Sequence, residues 1–427
     1  MVTAAGGATS GTAEPAAAVG STCRGCGAPL SVTFVDLGLS PLANSYVEEH
    51  DADQGERFYP LHVLVCERCL LVQLPEVESP QAIFSDYAYF ASYSESWLAH
   101  ARDYAAMAVA RFGLGASSRV VEIASNDGYL LRWFAERGIP VLGIEAAANV
   151  AAAARELGIE SRVAFFGAAY AGELVAEGIR ADLLVGNNVL AHVPALGDFV
   201  TGLATLLAPR GVLTMEFPHL LRLMAEGQFD TIYHEHFSYF SLAAVRRVFA
   251  DRGLELFDVE ELPTHGGSLR IYARHTGDDS RPVGPRVATL LAKEEAAGLL
   301  RLDGYRHFGA RVAAVKRDLL RFLLDAAEQG KTVVGYGAPA KGNTLLNYCG
   351  VRSDLLAYTV DRSPHKQGRL LPGTRIPIHS PHRILDTRPD YVLILPWNLK
   401  DEVMEQMAAV RSWGGRFVVA VPRLQVL

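Results

Sequence analysis

No hydrophobic run in this 427-residue chain approaches the ~20 apolar residues that a membrane-spanning helix needs. Nor is there an excess of positive charge. Lys and Arg number 40 against 47 Asp and Glu, for a formal net charge of −7. That balance offers no general attraction to nucleic acid or to an anionic bilayer, so neither is expected as a partner. The first twenty residues, rich in Ala, Gly, Thr and Ser, lack the basic stretch and apolar core of a secretory signal. They read as a flexible tail, and a cytoplasmic protein is the expectation. Cysteine is scarce as well. Five residues leave one over in any disulfide scheme, and a chain of this length has core enough to fold without such cross-links.

Four of the five cysteines are paired, as CRGC (Cys23, Cys26) and CERC (Cys66, Cys69), with thirty-nine residues between the pairs. Two such knuckles set four thiolates tetrahedrally about Zn2+ and fill every coordination position, so a structural zinc site is expected. Buried free thiols or a redox pair are the competing reading. Strand-like segments, Val32 to Leu37 and Tyr59 to Val65, fill the gap as a small sheet. A module of that size, residues 21–80, is too small to be stable by its core alone. Cys349 reads as a small buried side chain.

Glycine is missing where a dinucleotide site would need it. The stretch SRVVEIASNDGYLLRWFAERGIPVLGIE reads as buried strand (Val120 to Ile123), polar turn, helix (Tyr129 to Arg137) and second strand (Val141 to Ile144). A pyrophosphate normally rests on a turn with three glycines, and here only Gly128 stands in the turn. Glu122, six residues earlier, and Asp127 would repel a pyrophosphate but suit the ammonium and sulfonium of S-adenosylmethionine. The expected cofactor contacts are Glu122, Ser125, Asn126, Asp127, Gly128 and Asn187, with Glu145 accepting from ribose hydroxyls. A salt-bridged Glu122 and a helix-capping Asp127 are the plainer alternatives.

Beyond this unit, DLLVGNNVLAHVP is a buried strand followed by a polar loop, which places Asn187, Asn188 and His192 beyond a strand end, where doubly wound sheets bind ligands. FDTIYHEHFSYFS packs Tyr233, His234, Glu235, His236 and Tyr239 into seven positions. If that segment is extended, His234 and His236 share a face; if helical, Tyr233 and His236 do. Two histidines without a clear third ligand argue against a metal there and for acid–base chemistry. An aromatic segment, SDYAYFASYSESW, contains Tyr87 and either covers a ligand or packs on a neighbouring domain. THGGSLR offers His265, Ser268 and Arg270 for phosphate or sugar, or forms a simple hairpin bend. KTVVGYGAPAKGN opens a second nucleotide-fold pattern with a displaced third glycine, where Gly337 and Lys341 suit the substrate's diphosphate.

Taken in order, the knuckles, EIASNDG, EFPHL, YHEHFSY, THGGSLR and GYGAPAKGN resemble the sugar C-methyltransferases of deoxysugar biosynthesis in actinomycete antibiotic pathways, over essentially residues 21–427. The resemblance implies an α/β chain with a small N-terminal zinc module, a central Rossmann-like class I methyltransferase domain and a C-terminal Rossmann-like domain. The expected divisions are a tail at 1–20, the zinc module at 21–80, the cofactor domain at 81–275, a helical connection at 276–330 and the nucleotide-sugar domain at 331–427. It further implies methyl transfer from S-adenosylmethionine to a carbon beside the keto group of a dTDP-linked 4-keto-deoxysugar, usually C-3 and in some relatives C-5. His236 would be the base, Tyr233 and His192 donors to the 4-oxygen, Glu235 a group orienting or polarising the base, and Tyr87 a wall of the site. The zinc should lie apart from this chemistry. Rival expectations are an O- or N-methyltransferase, a non-catalytic nucleotide-sugar sensor, and an oxidoreductase using Gly335 to Asp361. Family members often carry glycine where this chain has Ala124.

Overall fold

The computed structural model describes residues 22–79, 91–93 and 95–427. Tyr87, like Tyr89 and Phe90 beside it, lies outside the described residues. A central seven-stranded sheet runs in the order Leu254–Leu262, Ser268–His275, Leu207–Pro218, Ala181–Asn187, Val120–Ile123, Val141–Glu145, Ser161–Val163. Its strands are parallel except Ser268–His275, which is antiparallel to both neighbours. Val120–Ile123 is buried at every position, as a strand covered by helices on both faces must be. The chain leaves this strand toward one edge and returns on its other side at Ala181–Asn187. The crevice at the carboxyl ends of those two strands is therefore the topological switch point, where ligands bind in such sheets.

The turn after Val120–Ile123 is left-handed at several positions: φ is +57° at Ala124, +50° at Asn126 and +78° at Gly128. A side chain at positive φ costs roughly 1–2 kcal/mol, against less than about 1 kcal/mol of extra unfolded-state entropy for glycine. Ala124→Gly is therefore expected to stabilise the protein by about 0.5–1 kcal/mol, read as a higher denaturation midpoint. A lower midpoint would mean that the alanine methyl is worth more than the strain. The helix that follows is shorter than the sequence pattern suggests, Leu131–Ala135, and Leu130 caps it without a side-chain bond. Asp127 is thus not its cap.

A second, six-stranded sheet runs Ile378–His379, Thr359–Val360, Val333–Tyr336, Tyr391–Ile394, Arg416–Val419, Gln425–Val426, parallel except for the last pairing. It is Rossmann-like, and its own switch point, between Val333–Tyr336 and Tyr391–Ile394, carries Gly337 and Pro396. A Cβ on Gly337, at φ +89°, would stand 2.5 Å from Pro396 Cδ, so glycine is required for close packing of the turn.

The N-terminal sheet is Val32–Ser40, Tyr59–Val65, Val72–Gln73 and Ser238–Tyr239. Its fourth strand comes from the YHEHFSY motif. Two residues carry no periodicity, so nothing in the sequence pattern announces this pairing. Phe34 of the same sheet stacks on Phe308, centroids 4.6 Å apart, at the start of the connecting helix Phe308–Glu328. One continuous core joins the N-terminal sheet to the C-terminal one.

Candidate active site

The crevice at the first switch point is built from the turn after Val120–Ile123 and the ends of its neighbours. Glu145, closing Val141–Glu145, accepts from the backbone amides of Asn126 and Ala147, each at 2.9 Å. Burial raises its pKa, and those amides hold it back. Glu122 lies wholly within the sheet, where burial drives its carboxyl well above the ordinary range against the lowering influence of Tyr129. Asp127 Oδ2 accepts from Ser92 N (3.1 Å) and Asn126 Oδ1 from Ala91 N (2.8 Å), so the end of the aromatic segment closes over the turn. Three further atoms of the crevice, Ser125 Oγ, Asp127 Oδ1 and Asn187 Oδ1, are buried and find no partner among the described residues. Buried polar atoms left unpaired are costly, and a cluster of acceptors and a hydroxyl suits the amine, amino-acid ammonium and ribose hydroxyls of S-adenosylmethionine. The bare Cα of Gly128 faces Ile159 (3.1 Å from an added Cβ), so the glycine serves packing as well as the turn.

Beyond the end of Ala181–Asn187, the histidines and tyrosines singled out in the sequence converge. The YHEH segment is neither strand nor helix but a turn closed by His236 N donating to Tyr233 O (2.9 Å). It puts Tyr233 and His236 on one side, rings 4.0 Å apart, and sends His234 away against Tyr59 and the Pro60 carbonyl. His192, in the short turn Leu190–His192, lies edge-on to His236 at 4.7 Å. His236 Nδ1 donates to the Thr231 carbonyl at 2.8 Å. That bond fixes the tautomer and leaves the Nε2 lone pair as the basic site. Burial, and then the neighbouring His192, lower His236 well below the usual histidine range; burial lowers His192 to about 4, opposed by its hydrogen bond to the Glu235 backbone. Both imidazoles are neutral at pH 7.

The group orienting His236 is thus the Thr231 carbonyl and not Glu235. The Glu235 carboxyl instead accepts from Asn44 Nδ2 (2.6 Å), and burial pushes it up to about 7. Asn44 belongs to the N-terminal module, as does Tyr46, whose hydroxyl donates to the Ala338 carbonyl (2.5 Å) beside Gly337. These two side chains tie all three units together at the site. They stand in a polar loop without periodicity, and the sequence reading passed over them.

The THGGSLR residues divide. The His265 imidazole opens on the cleft, hydrogen-bonding Asn188 (3.2 Å) and lying 5.2 Å from Trp97. Arg270 does not face a ligand: its Nε donates to Glu216 (2.7 Å), Nη1 to Glu260 (3.3 Å), and Tyr104 roofs it at 4.6 Å. A phosphate would have to displace two carboxylates. His100 completes this network at 2.9 Å from Glu216, so the EFPHL glutamate is an internal strut. Ser268 Oγ donates to the Thr264 carbonyl and is likewise engaged. Gly266 admits Trp397, from the short turn Trp397–Leu399 after the strand Tyr391–Ile394, to which an added Cβ would come within 2.6 Å. A polar cleft of ≈ 390 Å³ behind this bend, lined by His219, Arg222, Glu226 and Glu261, holds no member of the acid–base cluster.

Lys341 stands in the first turn of the helix Ala340–Cys349, just after the Gly337 turn. Its Nζ donates to Asn398 Oδ1 (2.5 Å) and sits 4.7 Å over Trp397, whose indole donates to the buried Asp230 (2.6 Å). Burial raises Asp230 to about 6, against the opposing charge of Lys341. The Lys341 charge also acts on His236 and His265, which brings the second switch point within electrostatic reach of the histidine cluster.

The four knuckle cysteines come together as expected: their sulfurs all lie within 4.8 Å of one another, with Cys23–Cys69 at 3.4 Å and Cys26–Cys66 at 3.6 Å. A zinc tetrahedron with bonds of ~2.3 Å has edges near ~3.8 Å, so the donor set fits the metal. Gln73 Nε2 donates to Cys23 Sγ at 3.1 Å, the kind of outer bond that steadies a metal ligand.

Among known families, a zinc binding domain matches residues 23–84, a methyltransferase domain residues 97–259, and a C-methyltransferase C-terminal domain residues 263–422. C-methyltransferase NovU of Streptomyces niveus is 38% identical over 405 residues, covering 95% of this chain and 96% of its own. Similar solved structures include magnesium protoporphyrin IX methyltransferase from Synechocystis PCC 6803 with bound SAH (16% identity, 42% of this chain and 83% of that one, TM-score 0.34). Another is PH0226 protein from Pyrococcus horikoshii OT3 (13%, 46% and 98%, 0.36). With three family matches in order along the chain and a relative alike from end to end, this chain belongs to the S-adenosylmethionine-dependent C-methyltransferases that carry a zinc-binding module.

Proposed function

We propose that the enzyme methylates the carbon next to the keto group of a dTDP-linked 4-keto-deoxysugar, at C-3 in preference to C-5. The observation that carries this reading is the His236 imidazole, held by Thr231 as a neutral base with Tyr233 and His192 beside it and within reach of the Lys341 charge. A carbon next to a ketone becomes nucleophilic only when a base removes its proton and the enolate oxygen is stabilised. His236 Nε2 takes that proton. Tyr233 donates to the 4-oxygen, and the buried Glu235 holds Asn44 and, through its backbone carbonyl, the single N–H of neutral His192, which leaves His192 as a neighbour of the base rather than a donor. Bound S-adenosylmethionine supplies an electrophilic methyl on a sulfonium. Glu122, Ser125, Asn126, Asp127, Gly128, Glu145 and Asn187 line its crevice. The nucleotide lies toward the second sheet, with the diphosphate at Lys341 and the Gly337 turn and the sugar near His265. Arg270 and Ser268 support this wall from behind.

The test of the whole reading is the product formed from 13C-methyl donor and a dTDP-4-keto-deoxysugar. A new methyl signal coupled to a ring carbon is expected; a methyl on oxygen or nitrogen overturns the proposal. The cofactor half is tested separately. Glu145→Ala is expected to weaken S-adenosylhomocysteine by roughly tenfold or more, the worth of one or two charge-assisted hydrogen bonds, while nucleotide-sugar affinity barely changes by calorimetry. Equal weakening of both ligands would show loss of the fold instead.

A further inference from the structure

Of the two residues between the first pair of knuckle cysteines, Arg24 and Gly25, the first carries a side chain that does not point to solvent. Its Nε donates to the Pro194 carbonyl (3.2 Å), Nη2 to the Leu74 carbonyl (2.9 Å) and Nη1 to the Phe237 carbonyl, while its guanidinium lies 5.6 Å from the Phe237 ring. Its own amide donates to Gln73 Oε1 (3.0 Å), and Gln73 in turn donates to Cys23 Sγ. Pro194 follows His192 by two residues and Phe237 directly follows His236. Between them, Phe237 N donates to the Ala191 carbonyl at 2.7 Å. Only a planar fork with several N–H groups can grip three carbonyls from three segments at once, which a lysine ammonium cannot do in the same plane. The neighbouring thiolates supply the negative charge that the three neutral acceptors lack.

We infer that Arg24 is a positioning residue that clamps the His192 and His236 segments to the cysteine knuckle and so sets the spacing of the two imidazoles. Because the clamp holds backbone on the far side of both histidines, it acts on catalysis through their placement and not through substrate contact. The inference rests on the acid–base reading of His236 and His192, so its test includes a measurement that does not need turnover.

That measurement uses Arg24→Met, which keeps length and loses every donor, in the full chain with zinc. Spectra of labelled histidine are expected to lose the ring-to-ring contact between His192 and His236. The kcat falls about tenfold or more, as misplacement of reacting groups does, while KM, S-adenosylhomocysteine affinity and zinc stoichiometry hold. Arg24→Lys, the gentler change should the first fold poorly, loses kcat at full zinc loading. Guanidinium ion added to Arg24→Ala restores part of the rate. A histidine contact and kcat both at parent values in either variant overturn the clamp, as does a loss of kcat matched by equal loss of cofactor affinity. Loss of the contact with unchanged turnover upholds the clamp and removes the two histidines from the mechanism.

Discussion

His236→Asn is expected to bind both ligands and yet lower turnover by about a hundredfold or more, the usual share of a general base. Asparagine fills less space but can still donate to the Thr231 carbonyl, which His236 now occupies at 2.8 Å, so the turn from Tyr233 to His236 should survive the exchange. What disappears is the Nε2 lone pair. The parent enzyme, given the 4-keto sugar in heavy water with S-adenosylhomocysteine, exchanges the proton at the carbon to be methylated; the variant does neither reaction, because both need the same deprotonation. Tyr233→Phe keeps part of that exchange if the tyrosine only stabilises the enolate. The pH profile gives an independent check. A base whose pKa is lowered by burial stays unprotonated as pH falls, so the acid limb of kcat/KM should lie below pH ~6.5. Methylation at near-parent rate by His236→Asn would move the role to His192, with His234 made remote by its contact with the N-terminal sheet.

Much of this arrangement was legible in the sequence where the signal is local. Buried parallel strands are continuous apolar runs, and three of them, around Glu122, Glu145 and Asn187, stand where the pattern put them, with ends shifted by at most a residue or so. Paired knuckles announce a metal by spacing alone. The pairing of Tyr233 with His236 is the one expected of a helix, reached here through a turn instead. Contacts made by register were not legible. Arg270 looked free because its partner Glu216 is opposite it only once Ser268–His275 pairs antiparallel with Leu207–Pro218. Asn44, Tyr46 and Arg24 reach the site through tertiary packing, and polar residues in short loops carry no period to betray them. The expected separation into modules also understates the structure. Ser238–Tyr239 is a strand of the N-terminal sheet, and one core runs from that sheet to the C-terminal one.

Because the N-terminal sheet borrows that strand, loss of zinc is expected to reach the neighbouring Tyr233–His236 segment. Cys66 is fully buried, its backbone amide donates to the Leu71 carbonyl (3.0 Å), and its sulfur accepts from the Cys69 amide (3.5 Å). Replacing it with serine leaves three thiolates and a poor fourth donor, opening a site whose closure stabilises a module with little core of its own. Cys66→Ser should therefore hold well under one zinc per chain and lose roughly 4 kcal/mol or more, the scale reserved for loss of a metal or disulfide. Limited proteolysis should cut first within the N-terminal module. The Val72–Gln73 pairing with Ser238–Tyr239 and the Leu74 amide on Phe237 would loosen with it, so turnover falls even in the fraction that stays folded. S-adenosylhomocysteine affinity should change little, since the crevice around Glu122 and Glu145 belongs to the central sheet. Parent protein without stoichiometric zinc, together with a variant that folds and turns over as well as the parent, would show that the four cysteines are only a buried thiol cluster.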